Sequence, residues 1–130
     1  MSIDSIGNFL TIIRNGVKVS KPFVNAPYSN MNNAIAEILK KEGFVRDIEQ
    51  VTDNGKKRLK IVLKYVGGES VIHELKRISK LSRRSYTGMN EIKPVIDGLG
   101  LSILSTDRGV ISHKDAKKLG VGGEIICTVW

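Results

Sequence analysis

Ile3, Ile6, Leu10, Ile13 and Val17 recur at steps of three and four, which predicts a helix over residues 3–17 with these five on one face. Asp4 falls in its first turn, where a carboxylate suits the helix dipole, and Asn15-Gly16 is the predicted stop. The following KVSKPFVNAPYS carries Pro22 and Pro27 and predicts only an edge strand or a loop. A second helix is expected from Ser29 or Asn30 as N-cap, because Met31, Ile35, Ile38 and Leu39 share one face; Lys40, Lys41 and Gly43 supply its ending. Phe44, Ile48 and Val51 then stand among charged residues, and Asp53-Asn54-Gly55 predicts a hairpin turn. In the return strand Leu59, Ile61, Leu63 and Tyr65 alternate with Arg58, Lys60, Val62 and Lys64. The order is helix, extended segment, helix, strand, strand: a small α+β unit.

Gly67-Gly68 breaks the pattern and is the expected boundary between a domain over residues 1–66 and one over 67–130. Beyond it, Val71, Leu75 and Ile78 fit a helix almost as well as Val71, His73 and Leu75 fit a strand, so periodicity leaves both open. SRRSYTGMN is short and polar and suits an exposed strand or hairpin. At the carboxyl end Leu99, Leu101 and Ile103 alternate with Gly100, Ser102 and Leu104, and Ile125, Cys127 and Val129 mark a second core strand. Between them Ser105-Thr106-Asp107-Arg108-Gly109 is a polar, glycine-closed turn. Ser112 with Asp115 has nearly the form of a capping box, opening a helix that Gly120 ends. Two compact loops, STDRG and GVGG, thus sit on a strand platform.

At 130 residues and 41% hydrophobic the chain can bury one real core. Twenty-one Lys and Arg face thirteen Asp and Glu, a net charge of +8 that points first to a polyanionic partner. The charge is concentrated: residues 54–93 hold eleven basic and three acidic side chains, while the remainder balances. Within that segment Arg83, Arg84 and Tyr86 lie together, two cations for phosphate and a ring able to stack on a base. Lys56 to Lys64 reads equally as the wet face of an amphipathic strand.

No apolar run reaches the roughly 20 residues that span a bilayer, and the amino terminus lacks a signal-peptide pattern, so a soluble, unexported protein without a membrane partner is expected. The single Cys127 sits on an apolar face and reads as a buried structural thiol. His73 and His113 have no metal-ligand spacing, and GVGGE lacks the Lys-Ser/Thr of a phosphate loop. No catalytic residue, metal site or cofactor is expected. Chemistry, if present, would fall to Ser105 or Cys127 beside a histidine.

Six separate blocks resemble one family in its own order: IRNG closing the first helix, EILKKEGF, VLKY, LKRISK, the Ser-Thr loop and the GGE strand. From Asp4 to Trp130 the chain resembles bacterial-type small-subunit ribosomal protein S-eight. The resemblance implies an α+β fold, an amino-terminal two-helix, three-strand half followed by a mainly β half with one short helix, and it decides SVIHELKRIS in favour of strand. It implies a structural constituent of the small ribosomal subunit that binds the central domain of small-subunit rRNA and aids assembly. In some bacteria such proteins also repress their operon mRNA. Implied RNA contacts are Ser105, Thr106, Asp107 and Gly109 in one loop and Gly122, Gly123 and Glu124 in the other. The basic segment adds Arg83, Arg84 and Tyr86, and the first helix adds Asp4, Arg14 and Asn15. The fifth small-subunit protein is the implied neighbour, on ribosomes of the bacterial cytoplasm or of a plastid encoding its own copy. Against this stands a small basic regulator of messenger RNA or DNA, which would not travel with ribosomal subunits.

The chain departs from the family at four places. Asp107 stands where the loop usually has a second Ser, and could cap the turn, pair with Arg108 or accept from an exocyclic amine. Ile12 replaces a common Arg, residues 29–33 lack the usual basic side chains, and Leu81-Ser82 replaces Pro-Gly.

Overall fold

The structure is a computed structural model that describes residues 5–80, 84–88 and 100–130. Asp4, Arg83, Leu99 and the Leu81-Ser82 pair of the sequence reading lie outside these residues. The chain forms two compact units, dividing between His73 and Glu74. Gly67-Gly68 is a tight turn inside the first unit, both residues at positive φ (61° and 79°).

The amino-terminal unit opens with α1 (Ser5–Lys18), which buries Phe9, Leu10, Ile13 and Gly16; Ile6 and Val17 of the predicted stripe are only half-buried. The helix runs through Asn15-Gly16 instead of stopping there. Gly16 is needed for a different reason. A side chain at that position would run into Val24 Cγ1 and come within 3.3 Å of Leu63 Cδ1, so the bare backbone lets the helix lie close on the sheet. That sheet starts with β1 (Phe23–Pro27), which buries Val24 and Ala26 and holds an edge, where proline is tolerated.

Next, α2 (Asn30–Lys41) is capped by Ser29, whose hydroxyl accepts from the Asn32 amide at 3.0 Å. It turns Asn32, Ile35, Ala36 and Leu39 inward and leaves Met31 and Ile38 half-buried. β2 (Val45–Asp53) and β3 (Lys56–Leu63) form the expected hairpin. Asn54 and Gly55 at φ 50° and 77° make its two-residue turn, both residues left-handed as a twisted hairpin requires. The sheet order β1-β3-β2 puts β3 in the middle, with Leu59, Ile61 and Leu63 buried and Arg58, Lys60 and Val62 on the wetter face. β4 (Tyr65–Val66) and β5 (Glu69–Ser70) complete the unit as a small hairpin, and Tyr65 donates its hydroxyl to the Lys21 carbonyl at 2.6 Å.

The carboxyl-terminal unit is a sheet with one helix. Its strands are β6 (Leu75–Arg77), β7 (Tyr86–Thr87), β8 (Leu101–Thr106), β9 (Gly109–Ser112) and β10 (Gly123–Val129). The order is β6-β10-β8-β9, with β7 also pairing β10, all antiparallel. α3 (His113–Leu119) is capped by Ser112, which accepts from the Asp115 amide at 3.2 Å. Ala116 packs with Leu104, and Ile111, Val121 and Ile125 close around them. β8 is therefore buried at every position from Leu101 to Leu104, not on alternate ones. A bulge between Ile125 and Cys127 inserts Ile126 into β10, so that Ile126, Cys127 and Val129 are buried and Ile125 turns to α3. The bulge carbonyl of Ile126 is satisfied by the Ile78 amide at 3.1 Å and by Arg77 Nη1 at 2.9 Å.

Among the described residues all three helices end alike. A left-handed residue (Ser20, Gly43, Gly120) is followed by an amide that reaches back five residues: Lys21 to Gly16, Phe44 to Leu39, Val121 to Ala116, at 2.9, 2.8 and 3.0 Å. Only the first of these uses a residue with a side chain. The fold is thus the α+β arrangement expected: α1-β1-α2-β2-β3, then a mostly β half with α3.

Candidate nucleic-acid interface

Strand β10 brings the two loops of interest together. In its register Glu124 faces Ser105 of β8 on one side and Tyr86 of β7 on the other, while Gly123 faces Thr87. Neighbouring strands lie about 4.8 Å apart, so the backbones of Tyr86, Glu124 and Ser105 fall within about 10 Å of each other. Tyr86 is 69% exposed and its ring stands open to solvent. Tyr86, Ser105, Thr106, Asp107 and the run Val121–Glu124 line one shallow depression of ≈ 430 Å³. Two larger depressions belong to the amino-terminal unit: ≈ 510 Å³ beside α2 and β2, and ≈ 640 Å³ beside α1 and β1, the latter lined in part by Asn15.

The STDRG loop is rigid for a local reason. Thr106 and Gly109 are paired across a two-residue turn, Asp107-Arg108. Thr106 Oγ1 donates to the Gly109 carbonyl at 2.9 Å and accepts from the Arg108 amide at 3.0 Å. Thr106, not Asp107, therefore caps the turn, and Gly109 at φ 103° takes a torsion that side chains resist. Asp107 and Arg108 are both exposed, and among the described residues Asp107 has no ion-pair or hydrogen-bond partner. The Ser105 hydroxyl likewise has no partner among them.

The GVGG loop is packed from below. A side chain on Gly122 would strike the Thr87 carbonyl and come within 2.8 Å of Gly88 Cα; one on Gly123 would strike the Ser105 carbonyl and come within 3.0 Å of Thr106 Cγ2. Neither glycine has a positive φ. Their role is close approach, which draws β7 and β8 up against β10.

Glu124 is held from within the protein. Its Oε2 accepts from the Ser79 hydroxyl and from Arg84 Nη1 at 2.8 Å. Ser79 is completely buried, and its oxygen also accepts from the Ser85 amide at 3.2 Å. The hydrogen bond from Ser79 holds the Glu124 carboxyl below the usual carboxylate range; partial burial opposes this, and the guanidiniums of Arg84 and then Arg77 add to it. The two other groups of chemical interest are structural. His113 Nδ1 accepts from the Ser102 amide at 3.0 Å in a buried setting, and Cys127 is fully buried, its thiol pushed up to about 12 chiefly by loss of water.

The structure thus gathers Arg84, Tyr86, Ser105, Thr106, Asp107, Gly109, Gly122, Gly123 and Glu124 in one unit. Arg14 and Asn15 are exposed on α1 in the other unit, and Asp4 and Arg83 lie outside the described residues. The concentrated charge is divided. Lys56, Lys57, Arg58, Lys60 and Lys64 belong to the amino-terminal unit, Lys76, Arg77, Lys80 and Arg84 to the other. Lys60 lies 4.5 Å from the Phe23 ring centroid and Lys57 5.4 Å from that of Tyr28. Sequence reasoning missed Ser79, because its partners are six and forty-five residues away.

Comparison with known proteins gives this geometry its setting. The family model for ribosomal protein S8 matches residues 4–130. The chain belongs to the ribosomal protein S8 family. Members of this family are structural, non-enzymatic components of the ribosome, in agreement with the resemblance read from the motifs. The small ribosomal subunit protein uS8 of Thermus thermophilus is 45% identical over 138 residues covering both chains in full. That of Clostridium novyi is 45% identical over 127 residues, 98% of this chain and 97% of the relative. The uS8c protein of Phaeodactylum tricornutum is 45% identical over 129 residues, 98% of each, so bacterial and plastid relatives stand equally near. Asp107 places a carboxylate at the exposed tip of the β8–β9 turn.

Proposed function

We propose that this protein binds a helical region in the central domain of small-subunit rRNA as the subunit begins to assemble, using the β7–β10–β8 rung and its two loops for recognition. The observation that carries the reading is the juxtaposition on one rung of an exposed Tyr86 ring and a Ser105 hydroxyl with no partner among the described residues, beside the bare backbone of Gly122 and Gly123. Irregular RNA offers unstacked bases, 2′-hydroxyls and closely spaced phosphates. Tyr86 stacks on a base, the Ser105 hydroxyl donates to a base edge or sugar, and the glycines admit the RNA backbone close to main-chain amides. Thr106 keeps the loop in shape, and Asp107 accepts from an exocyclic amine or a 2′-hydroxyl, since a bare carboxylate repels phosphate.

Basic side chains supply the attraction. Those of β3 and the Lys76–Arg84 stretch neutralise phosphate without reading sequence, and Arg14 and Asn15 add a contact from α1. Asp4, Arg83 and Gly109 belong to the same carried-over set, in which the resemblance also places Glu124. The same surface would take a folded segment of operon mRNA, and the fifth small-subunit protein is the proposed neighbour. Among the described residues no group of three His, Cys, Asp or Glu is placed to hold a metal. The test is binding of the full chain to a central-domain rRNA fragment and to an unrelated hairpin across a salt series. A preference for the fragment that persists as salt rises is expected; equal affinity at every salt concentration would overturn the proposal.

A further inference from the structure

We propose that Ser79 is a positioning residue for RNA recognition, and that Glu124 acts with it as an internal latch which fixes β7 against β10, instead of contacting the RNA. The inference rests on the RNA-binding reading of the Tyr86–Ser105 rung. Strand β7 is only two residues long, too short to hold its own place on a sheet edge. Yet it carries Tyr86, the ring that must meet a base at a set height and angle. Its backbone ties are the Thr87–Gly123 pairing and the Ile125 amide donating to the Ser85 carbonyl at 2.9 Å.

Side chains add the rest. The Ser79 backbone is itself fixed to β10, its amide donating to the Ile125 carbonyl at 3.0 Å. From that buried point its hydroxyl accepts from the Ser85 amide and donates to Glu124 Oε2, and the same carboxylate oxygen accepts from Arg84 Nη1. Two groups around β7, the Ser79 hydroxyl and the Arg84 guanidinium, thus converge on one carboxylate that projects from the middle strand, and the Ser85 amide is tied to it through Ser79. An oxygen already holding a hydroxyl and a guanidinium has little left to offer RNA, and a free carboxylate in that place would repel phosphate. The Arg84 charge is spent in part on the latch for the same reason. Hydrogen bonds to a charged group in a partly buried network act together, so removing the hydroxyl releases Ser85 and weakens the Arg84 pair as well.

Ser79→Ala and Glu124→Gln in the full chain separate this role from a contact. By hydrogen exchange, Ser79→Ala is expected to speed exchange of the Thr87 amide by about tenfold while leaving Ile103 and Leu104 in β8 unchanged. Affinity for the central-domain rRNA fragment should fall about tenfold. In a Tyr86→Ala background Ser79→Ala should then cost nothing further, whereas with Ser105→Ala the two losses should multiply. Glu124→Gln should reproduce the faster exchange at Thr87. Unchanged exchange at Thr87 in Ser79→Ala would overturn the proposal, as would full multiplication of its loss with that of Tyr86→Ala. Loss of RNA affinity in Glu124→Gln with no change in exchange would make Glu124 a contact and overturn it too. If the wild-type chain shows no preference for the fragment, the RNA reading fails by itself, and the exchange measurement still decides whether Ser79 holds β7.

Discussion

Replacing Gly16 by Ala sets two effects of known size against each other. Within a helix the exchange is normally favourable by about 1 kcal/mol, because glycine surrenders more backbone freedom on folding. Here the added methyl would overlap Val24 Cγ1 and press on Leu63 Cδ1 at 3.3 Å. Val24 is only 6% exposed and β-branched, so it has few rotamers into which it can retreat. Overfilling a tight contact of this kind costs about 1–3 kcal/mol. The cost outweighs the helix gain, and a net loss of about 1 kcal/mol is expected. For a unit of this size that is a fall in Tm of about 4–8 °C, read by calorimetry or circular dichroism. The Val24→Ala background removes the obstacle. There, Gly16→Ala should turn stabilising by about 1 kcal/mol, a coupling that a double-mutant cycle measures directly. A Gly16→Ala protein as stable as the wild type, or the same loss in both backgrounds, would refute the close-approach account of α1.

Two further outcomes follow from local geometry. Ser20, at φ 58°, fills the left-handed position that glycine fills in the other helix ends, so Ser20→Gly should raise stability by about 1 kcal/mol in urea denaturation; no gain would mean that the serine is not strained there. The lowered carboxyl of Glu124 means that folding favours its charged form. Its contribution is present above the unfolded-state value of about 4.3 and is lost as pH falls through the lower folded-state value. Wild type and Glu124→Gln should therefore differ in stability at neutral pH and converge in acid; a gap that stays constant down to pH 3 would speak against an ionised latch.

Much of this architecture is local in origin, and local signals are written in short stretches of sequence. Asn54-Gly55, Ser29, Ser112, Gly43 and Gly120 each act within a few residues, and each adopts the turn or cap its chemistry predicts. Features set by contact across the fold were not legible. Asn15-Gly16 reads as a helix stop because glycine usually marks one, while the need for Gly16 comes from Val24 on a neighbouring strand. The burial of both faces of β8 depends on Leu104 meeting Ala116 of α3, and the Ile126 bulge shifts the alternation of β10 by one residue. At the candidate site the sequence singled out the glycines of GVGG as a turn, and their closeness to Thr87 and Ser105 emerges only from strand pairing. Ser79 had no signal at all, since a lone serine in LKRISK gains meaning only from Glu124.

The central claim divides the work between a recognition rung and a source of attraction, and paired variants test that division most directly. Tyr86→Ala with Ser105→Ala removes the rung; Lys57→Ala with Lys60→Ala removes two cations of β3. Each double variant is titrated against the central-domain rRNA fragment and an unrelated hairpin at several salt concentrations. The rung variant should lose at least about tenfold in preference for the fragment while keeping its salt dependence. The lysine variant should keep its preference and lose about two units of salt slope on both RNAs. A rung variant that still prefers the fragment as strongly as wild type would contradict the account.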